Sequence, residues 1–576
     1  MKHLAVTRGD EPPALLFALR AFSISRLFAY FAGNPLSLGQ PFLKSLDSAW
    51  PVGNCFPDLK TQRKNFMRTL LLGIDSGTQS TKVLVVDARN GKVLGSAAQH
   101  YDLIPNLPPG AKEQHPHSWR EATAKAIKAA LKSAKASAAE VKAIGVSGQQ
   151  HGFVPLDKNG EVIRPAKLWC DTSTAAECDE ITRKLGGPKA TIREIGNAVL
   201  PGFTASKILW LKKHEPKNFA KLATVLLPHD YLNFWLTGNR VMEFGDASGT
   251  ALLNVKTRKW SSAVLKAIDS SLAEKLPPMI ASDQPAGRLQ ASTARELGLN
   301  IDVLVSAGGG DNMMGAIGTG NTHHGVVTAS FGTSGTIYAC SEKPIIDPRG
   351  EIAAFCDSTN RWLPLLCTMN VTVATEMVRQ DFGFTHQQLE AEAAKAPAGS
   401  DGLILLPYLE GERTPNVPDG TGVWFGANKK TFTAAHFARA AMEGVTLGMN
   451  YGLQRLCELG LKPKQIRATG GGANSRFWRQ IMADVFNAEV VTIKVSEGAA
   501  YGAALQALWC WRLQSGEKIS INEITEKFVQ LNRAETATPK AKNVAVYREV
   551  QAIQNELSLA LRGVFGKHRR LVTKGS

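Results

Sequence analysis

Two aspartates stand where a chain could hold them against a bound ligand. Asp311 follows Gly308-Gly309-Gly310 and precedes Asn312, and Asp75 opens the turn Asp75-Ser76-Gly77-Thr78-Gln79-Ser80-Thr81. A carboxylate fixed at a strand end, beside bare glycine backbone, has the placement a general base needs. A carboxylate among turn N–H groups and hydroxyls would repel a phosphate directly. Asp75 therefore makes sense with a Mg2+ between it and the phosphate, and the Thr78-Gln79 turn as part of a phosphate cradle. In Gly148-Gln149-Gln150-His151-Gly152, amides and an imidazole lie between glycines, which suits recognition of several hydroxyls at once. Gly332 and Thr333 sit in a second Gly-Thr turn. Gly470-Gly471-Gly472 leads into a helix capped near Asn474 or Ser475, and a glycine turn feeding a helix N-terminus is a generic nucleotide pocket. Each motif also has a plain reading: a Gly-rich turn with a solvated Asp, or a loop histidine that only supports structure.

The elements around these residues are legible. Val303-Leu304-Val305 is a short buried strand that stops at the glycines before Asp311, and the small residues after it (Gly315, Ala316, Gly318, Gly320) allow close packing. LLLGID, TKVLVVDA and VLGSAAQHY read as three strands with turns between, and VKAIGVSG as another running into Gln149-Gln150-His151. After Trp119, EATAKAIKAALKSA has the two faces of an amphipathic surface helix. KLWCDTST reads as a strand ending in Asp171, and PGFTASKILWLKKHEP as a helix with Thr204 as N-cap. Asp246 falls on a loop. LILLPYLEGERTPN is a strand followed by a polar loop carrying Glu410, Glu412 and Arg413. Ala440, Gly444, Gly448 and Gly452 recur every four residues on one helix, which reads as a close-packing helix at the seam between domains. GVVTASFGTSGTIYACSE faintly echoes LLLGIDSGTQSTKVLVVD: strand, Gly-Thr turn, strand. The echo suggests two copies of one plan, with two hairpins gripping a polyphosphate from both sides.

At 576 residues the chain exceeds a single core. Its net charge of +17, with pI near 9.4, comes without an RNA-binding or zinc-finger signature, so it reads as solubility and attraction for anionic small molecules rather than for nucleic acid. The eight cysteines are scattered with no C-x-x-C pair, which fits a reducing compartment and a cytoplasmic location. No apolar run is long enough for a membrane span. Residues 1–66 differ from the rest, and three readings stay open: a targeting peptide, an appendage with its own partner, or sequence upstream of a true start at Met67. Beyond them the expected division is 67–320, 321–565 and a solvated basic tail at 566–576.

In order, GIDSGTQSTK, SGQQHG, PGFTASKILWL, LPHDYL, GGGDN, SFGTSG, LPYLEGERTPN, GGGANSRFWRQIMAD and EGAAYGAAL resemble the FGGY carbohydrate kinases, from about residue 69 to 560. The resemblance implies an α/β fold of two actin-like (ribonuclease H-like) ATPase domains flanking a deep cleft. It also implies ATP-dependent phosphorylation of a ketose, D-xylulose first, with ribulose or another polyol as the alternative. Carried over position by position, it makes Asp311 the catalytic base and Asp75 the carboxylate that helps hold Mg2+. Thr78-Gln79 and Gly332-Thr333 become the two phosphate loops. Gly470, Gly471, Gly472, Asn474 and Ser475 lie under the adenosine. Gln150 and His151 contact the sugar, with Asp311 and Asn312 from the far side. Gln150 stands where many ketose-specific members have Met. The family also implies a homodimer.

Overall fold

The computed structural model describes residues 68–573. The readings of residues 1–66, of Met67 as a start, and of the last three residues of the basic tail lie outside the described residues. Strands β1 (Leu70–Ser76), β2 (Ser80–Asp87) and β3 (Val93–His100) form an antiparallel meander. Strand β1 is almost wholly buried, as its unbroken Leu-Leu-Leu-Gly-Ile run requires of a strand covered on both faces. Strand β4 (Val141–Gly148) runs parallel to β1, and β5 (Leu304–Ser306) parallel to β4. The chain continues along the same neighbour: Gly309 pairs with Ser147 and Gly310 with Gly148. Helix α1 (Asp311–Gly318) starts at that point.

The second sheet repeats the plan. It contains β6 (Val326–Phe331), β7 (Gly335–Ala339), β8 (Trp362–Thr368), β9 (Gln465–Thr469) and β10 (Glu489–Val491). The first sheet is ordered β5-β4-β1-β2-β3 and the second β10-β9-β6-β7-β8, each with an extra edge strand, Pro285–Arg288 and Ala353–Cys356 respectively. In both, an antiparallel hairpin meets a parallel strand beside its first member. This is the two-fold actin-like, ribonuclease H-like α/β architecture, and the sequence echo is its hairpin.

Helix α2 (Ala434–Glu458), which carries the Ala440-Gly444-Gly448-Gly452 stripe, corrects one expectation. It packs inside the second half, not at the seam: a Cβ on Gly444 would meet the Leu405 carbonyl at 2.6 Å, and one on Gly452 would meet the Leu366 side chain at 2.4 Å. The stripe marks close packing but does not name the partner, because the same spacing serves a strand or another helix. The seam belongs to α1, where a Cβ on Gly315 would meet the Tyr338 hydroxyl at 2.7 Å, and α1 packs in turn on α3 (Gly498–Gln514). A Cβ on Gly318 would meet the Gly498 carbonyl at 1.8 Å, and one on Gly502 the Met314 carbonyl at 1.8 Å. Helix α3 comes late in the chain yet lies on the first sheet, where Gly73 and Gly145 leave room for the Ala500 and Ala503 carbonyls. Leu71, Leu84, Ala143, Leu304, Met314, Ala504 and Leu508 share one core there. A helix from Arg562 carries the basic tail as far as Thr573; Phe565, just before the tail, is buried, and Lys567 to Arg570 are exposed.

Candidate active site

A cavity of about 230 Å3 opens between the two halves. Gln150, His151, Trp169 and Phe203 line it from the first half, with Asp311 and Asn312; Thr336, Phe355, Cys367 and Arg413 line it from the second. The four residues expected to contact sugar are therefore together. Sheet register does this. Asp75 on β1 pairs with Ser147 on β4, and Ser147 with Gly309, two residues before Asp311. The two aspartates are thus carried by backbones two strand spacings apart, roughly 10 Å.

Asp311 begins α1. Its Oδ1 accepts from the Asn312 backbone N–H at 2.7 Å and from Asn312 Nδ2 at 2.9 Å. Asn312 Nδ2 also donates to Gln150 Oε1 at 2.8 Å, which links the glycine loop of the first sheet to the carboxylate. Burial, and then the negative charges of Asp75 and Asp246, push the Asp311 carboxyl up to about 7. Asp75 is also raised by burial, offset in part by the Ser147 hydroxyl, which donates to its Oδ1 at 2.9 Å. The Asp75 charge that raises Asp311 is one that a bound cation would offset. Among the described residues no cluster of three or more His, Cys, Asp or Glu could hold one by itself. Asp75 would suit a hard cation such as Mg2+, which takes oxygen ligands, as one of its protein donors.

His151 has a positive φ of 64°, a strained conformation for a residue with a side chain. Its carbonyl explains the persistence. Lys207 Nζ donates to it at 2.8 Å and Thr204 Oγ1 at 3.1 Å. Thr204 is thus not the N-cap as expected: Phe203 holds that position without a side-chain bond, and the Thr204 hydroxyl is spent on His151. Lys207 is fully buried, also donates to the Gly202 carbonyl at 2.6 Å, and is lowered to about 7 by that burial. The PGFTASK stretch is therefore a clamp for the loop carrying His151. Burial and the nearby cations Lys207 and Arg413 hold the His151 imidazole well below its ordinary value, so it is neutral.

The residues expected to grip phosphate lie at the matching ends of both sheets. Thr78 Oγ1 accepts from Trp169 Nε1 at 2.9 Å and donates to Gln149 Oε1 at 3.3 Å, and Gln114 Nε2 donates to the Thr78 carbonyl at 2.6 Å. Trp119 is buried and donates to Gln114 at 3.0 Å, so it braces this turn from behind. Gln79 is exposed. Gly332 and Thr333 form the β6–β7 turn, their carbonyls accepting from Thr372 at 3.0 Å and Val371 at 2.9 Å. Gly470 abuts this turn, since a Cβ there would meet the Phe331 carbonyl at 2.6 Å; a Cβ on Gly471 would meet open space. The two loops expected to share one nucleotide are thus adjacent because β6 and β9 are parallel neighbours. Ser475 caps the following helix, its Oγ accepting from the Trp478 N–H at 3.0 Å, while Asn474 is exposed.

Sequence reading gave no site role to Arg413, Asp246 or Asp171 and did not single out Gln506. Arg413 enters the cavity from a loop that Glu412 holds by accepting from the Met369 and Arg413 N–H groups at 2.7 and 2.8 Å. The GERTP run was the only signal for it. Asp246 lies in a short buried helix rather than a loop, with Oδ2 2.8 Å from Nδ1 of fully buried His229. Gln506 of α3 accepts from the Gly308 N–H at 2.9 Å and donates to the Gly308 carbonyl at 3.0 Å, which fixes the turn before Asp311. Asp171, expected at a strand end, instead pairs with buried Lys167 at 3.1 Å.

Comparison with known proteins follows this geometry. The N-terminal domain of the FGGY family of carbohydrate kinases matches residues 70–318, and its C-terminal domain matches residues 327–511. A xylulose kinase of Haemophilus influenzae is 43% identical over 485 residues, covering 83% of this chain and 97% of that protein. Two solved structures from Lactobacillus acidophilus, a ligand-bound xylulose kinase and a gluconate kinase, each superpose with a TM-score of 0.80 at 27% identity, covering 87% of this chain and all of theirs. Among the described residues no helix is long and apolar enough to cross a membrane.

Proposed function

The chain belongs to the FGGY family of carbohydrate kinases, and from that premise we propose that it transfers the γ-phosphoryl group of ATP to D-xylulose, giving D-xylulose 5-phosphate and ADP. The observation that carries this reading is Asp311: a carboxyl raised to about 7, with Oδ1 fixed by Asn312, on the wall of a cavity shared with Gln150 and His151. As the sugar hydroxyl attacks the γ-phosphorus, Asp311 takes its proton, the bond from phosphorus to the β-phosphate oxygen breaks, and ADP leaves. Gln150, neutral His151 and Asn312 orient the sugar. Thr78 and Gln79 on one side, and Gly332 and Thr333 on the other, grip the phosphates. Gly470, Gly471, Gly472, Asn474 and Ser475 carry the adenosine. Asp75 would help hold Mg2+, which supplies charge neutralisation at the β- and γ-phosphates.

A second reading, a kinase for ribulose or another polyol, draws support from the equally close gluconate kinase fold and from the amide of Gln150 at the sugar. The test is ADP release with Mg-ATP against D-xylulose, D-ribulose, L-ribulose, L-xylulose, glycerol, gluconate and no sugar. A clear preference for D-xylulose is expected. Preference for another sugar moves the substrate within the family, and equal turnover without sugar overturns Asp311 as a sugar base. The expected homodimer and cytoplasmic location belong to the same proposal; a monomer in sedimentation would remove the first.

A further inference from the structure

Away from the sugar cavity, α1 ends at a second concavity of about 460 Å3, lined by Gly320, His323, Arg467, Lys494, Glu526 and Arg533 among others. None of its lining residues lines the sugar cavity. The eight residues of α1 separate the two along the helix, roughly 12 Å at 1.5 Å per residue. Three cations, Arg467, Lys494 and Arg533, face this space against one carboxylate, Glu526. Among the described residues none of the three forms an ion pair. Glu526 is exposed and lies 3.3 Å from His323 Nε2, not against a cation.

Arg467 is the informative member. It projects from β9, Nη1 donating to the Thr319 carbonyl and Nε donating to Gln465 Oε1 at 3.2 Å. Its guanidinium is thus aimed by neutral oxygens and has no counter-charge. Burial and the like charge of Arg533 depress it to about 10. Gly320 has a φ of 68°, and a Cβ there would stand 2.3 Å from Arg467 Nη1, so bare backbone lets the guanidinium lie against the turn. Gathering cations in a concave site without counter-ions costs free energy that a bound anion offsets. A guanidinium presents a planar fork suited to phosphate oxygens, and Lys adds a point charge.

We propose that this pocket is a binding site for a phosphate dianion, either free or carried as the monoester of a small metabolite. It touches the segment between residues 318 and 327 that joins the two matched domains. An anion held between Arg467 and Arg533 would therefore stiffen Thr319–His323 at the far end of the helix that begins with Asp311.

The test uses the full chain and the double variant Lys494→Gln/Arg533→Gln, both exposed positions outside the catalytic machinery. Phosphate binding is measured by equilibrium dialysis with labelled inorganic phosphate. The wild type is expected to bind one phosphate more than the variant, or to bind that phosphate at least tenfold more tightly, while sugar-dependent turnover in phosphate-free buffer is the same in both. Competition by ribose 5-phosphate separates the sources: tighter binding than inorganic phosphate assigns a monoester, weaker binding assigns the free ion. Identical phosphate stoichiometry and affinity in the two proteins overturns the site. So does an oligonucleotide that displaces the phosphate at lower concentration, which would make the pocket part of a nucleic-acid surface.

Discussion

Asp311 combines two properties that pull against each other. Its raised value means that folding favours the protonated acid, whereas a base must be ionised. As pH climbs from the unfolded value near 3.8 through about 7, ionisation of this buried group progressively costs stability. Asp311→Asn is therefore expected to melt a few degrees above the wild type at pH 8, with little difference at pH 4; an equal shift at both would remove the electrostatic account. The same variant should lose about 10²–10⁴-fold in kcat while still binding ADP. Wild-type turnover should fall about tenfold per unit below pH 7 as the base is protonated. A second residue-scale prediction concerns the clamp. Lys207→Met removes the ammonium from the His151 carbonyl, and the sugar KM is expected to rise about tenfold, about 1.4 kcal/mol, with the ATP KM unchanged. Steady-state kinetics over both substrates would read this, and an equal rise in both KM values would make Lys207 a general stability residue.

At the scale of elements, glycines are the sharpest test of which packing matters. Gly145 sits under α3 with the Ala503 carbonyl 2.0 Å from where a Cβ would stand, and backbone on both sides cannot yield. Gly145→Ala is expected to cost more than about 3 kcal/mol in urea unfolding, beyond the usual range for overpacking. Gly448→Ala on α2 meets only Pro407 Cγ at 3.7 Å and should be neutral or stabilising by up to about 1 kcal/mol through helix propensity. Equal costs at the two positions would refute the contrast. These elements also show how far sequence reading reached. Strands ending at Asp75, Gln149 and Asp311, and the echo of two hairpins, follow from apolar runs cut by Gly and polar turns, signals local to each segment. The partner of α2, the clamp formed by Thr204 and Lys207, and the hold of Gln506 on Gly308 depend on contacts between residues far apart in the chain. Local pattern carries no such information. A Thr before a helical run reads as a cap whether its hydroxyl meets its own helix or the His151 carbonyl.

For the whole molecule, the consequence of the shared seam is cooperativity. Met313 and Ala316 of α1 share one core with Phe153, Ala205 and Leu209 of the first half and with Tyr338, Phe355, Leu363 and Leu365 of the second, so the halves cannot separate without exposing it. Equilibrium unfolding of the wild type is expected to give one transition, coincident by tryptophan fluorescence and circular dichroism. Two transitions would show that the sheets unfold independently.

Helix α3 also sets an order in time. Its residues are synthesised nearly two hundred positions after Asp311, yet they cover β1 and β4, and Gln506 holds the turn on which Asp311 stands. On the ribosome the first sheet must wait, one face bare, until residue 514 has left the exit tunnel. The nascent chain is therefore most exposed to chaperone capture while the second sheet is being made, and the base comes into position among the last steps of its own synthesis.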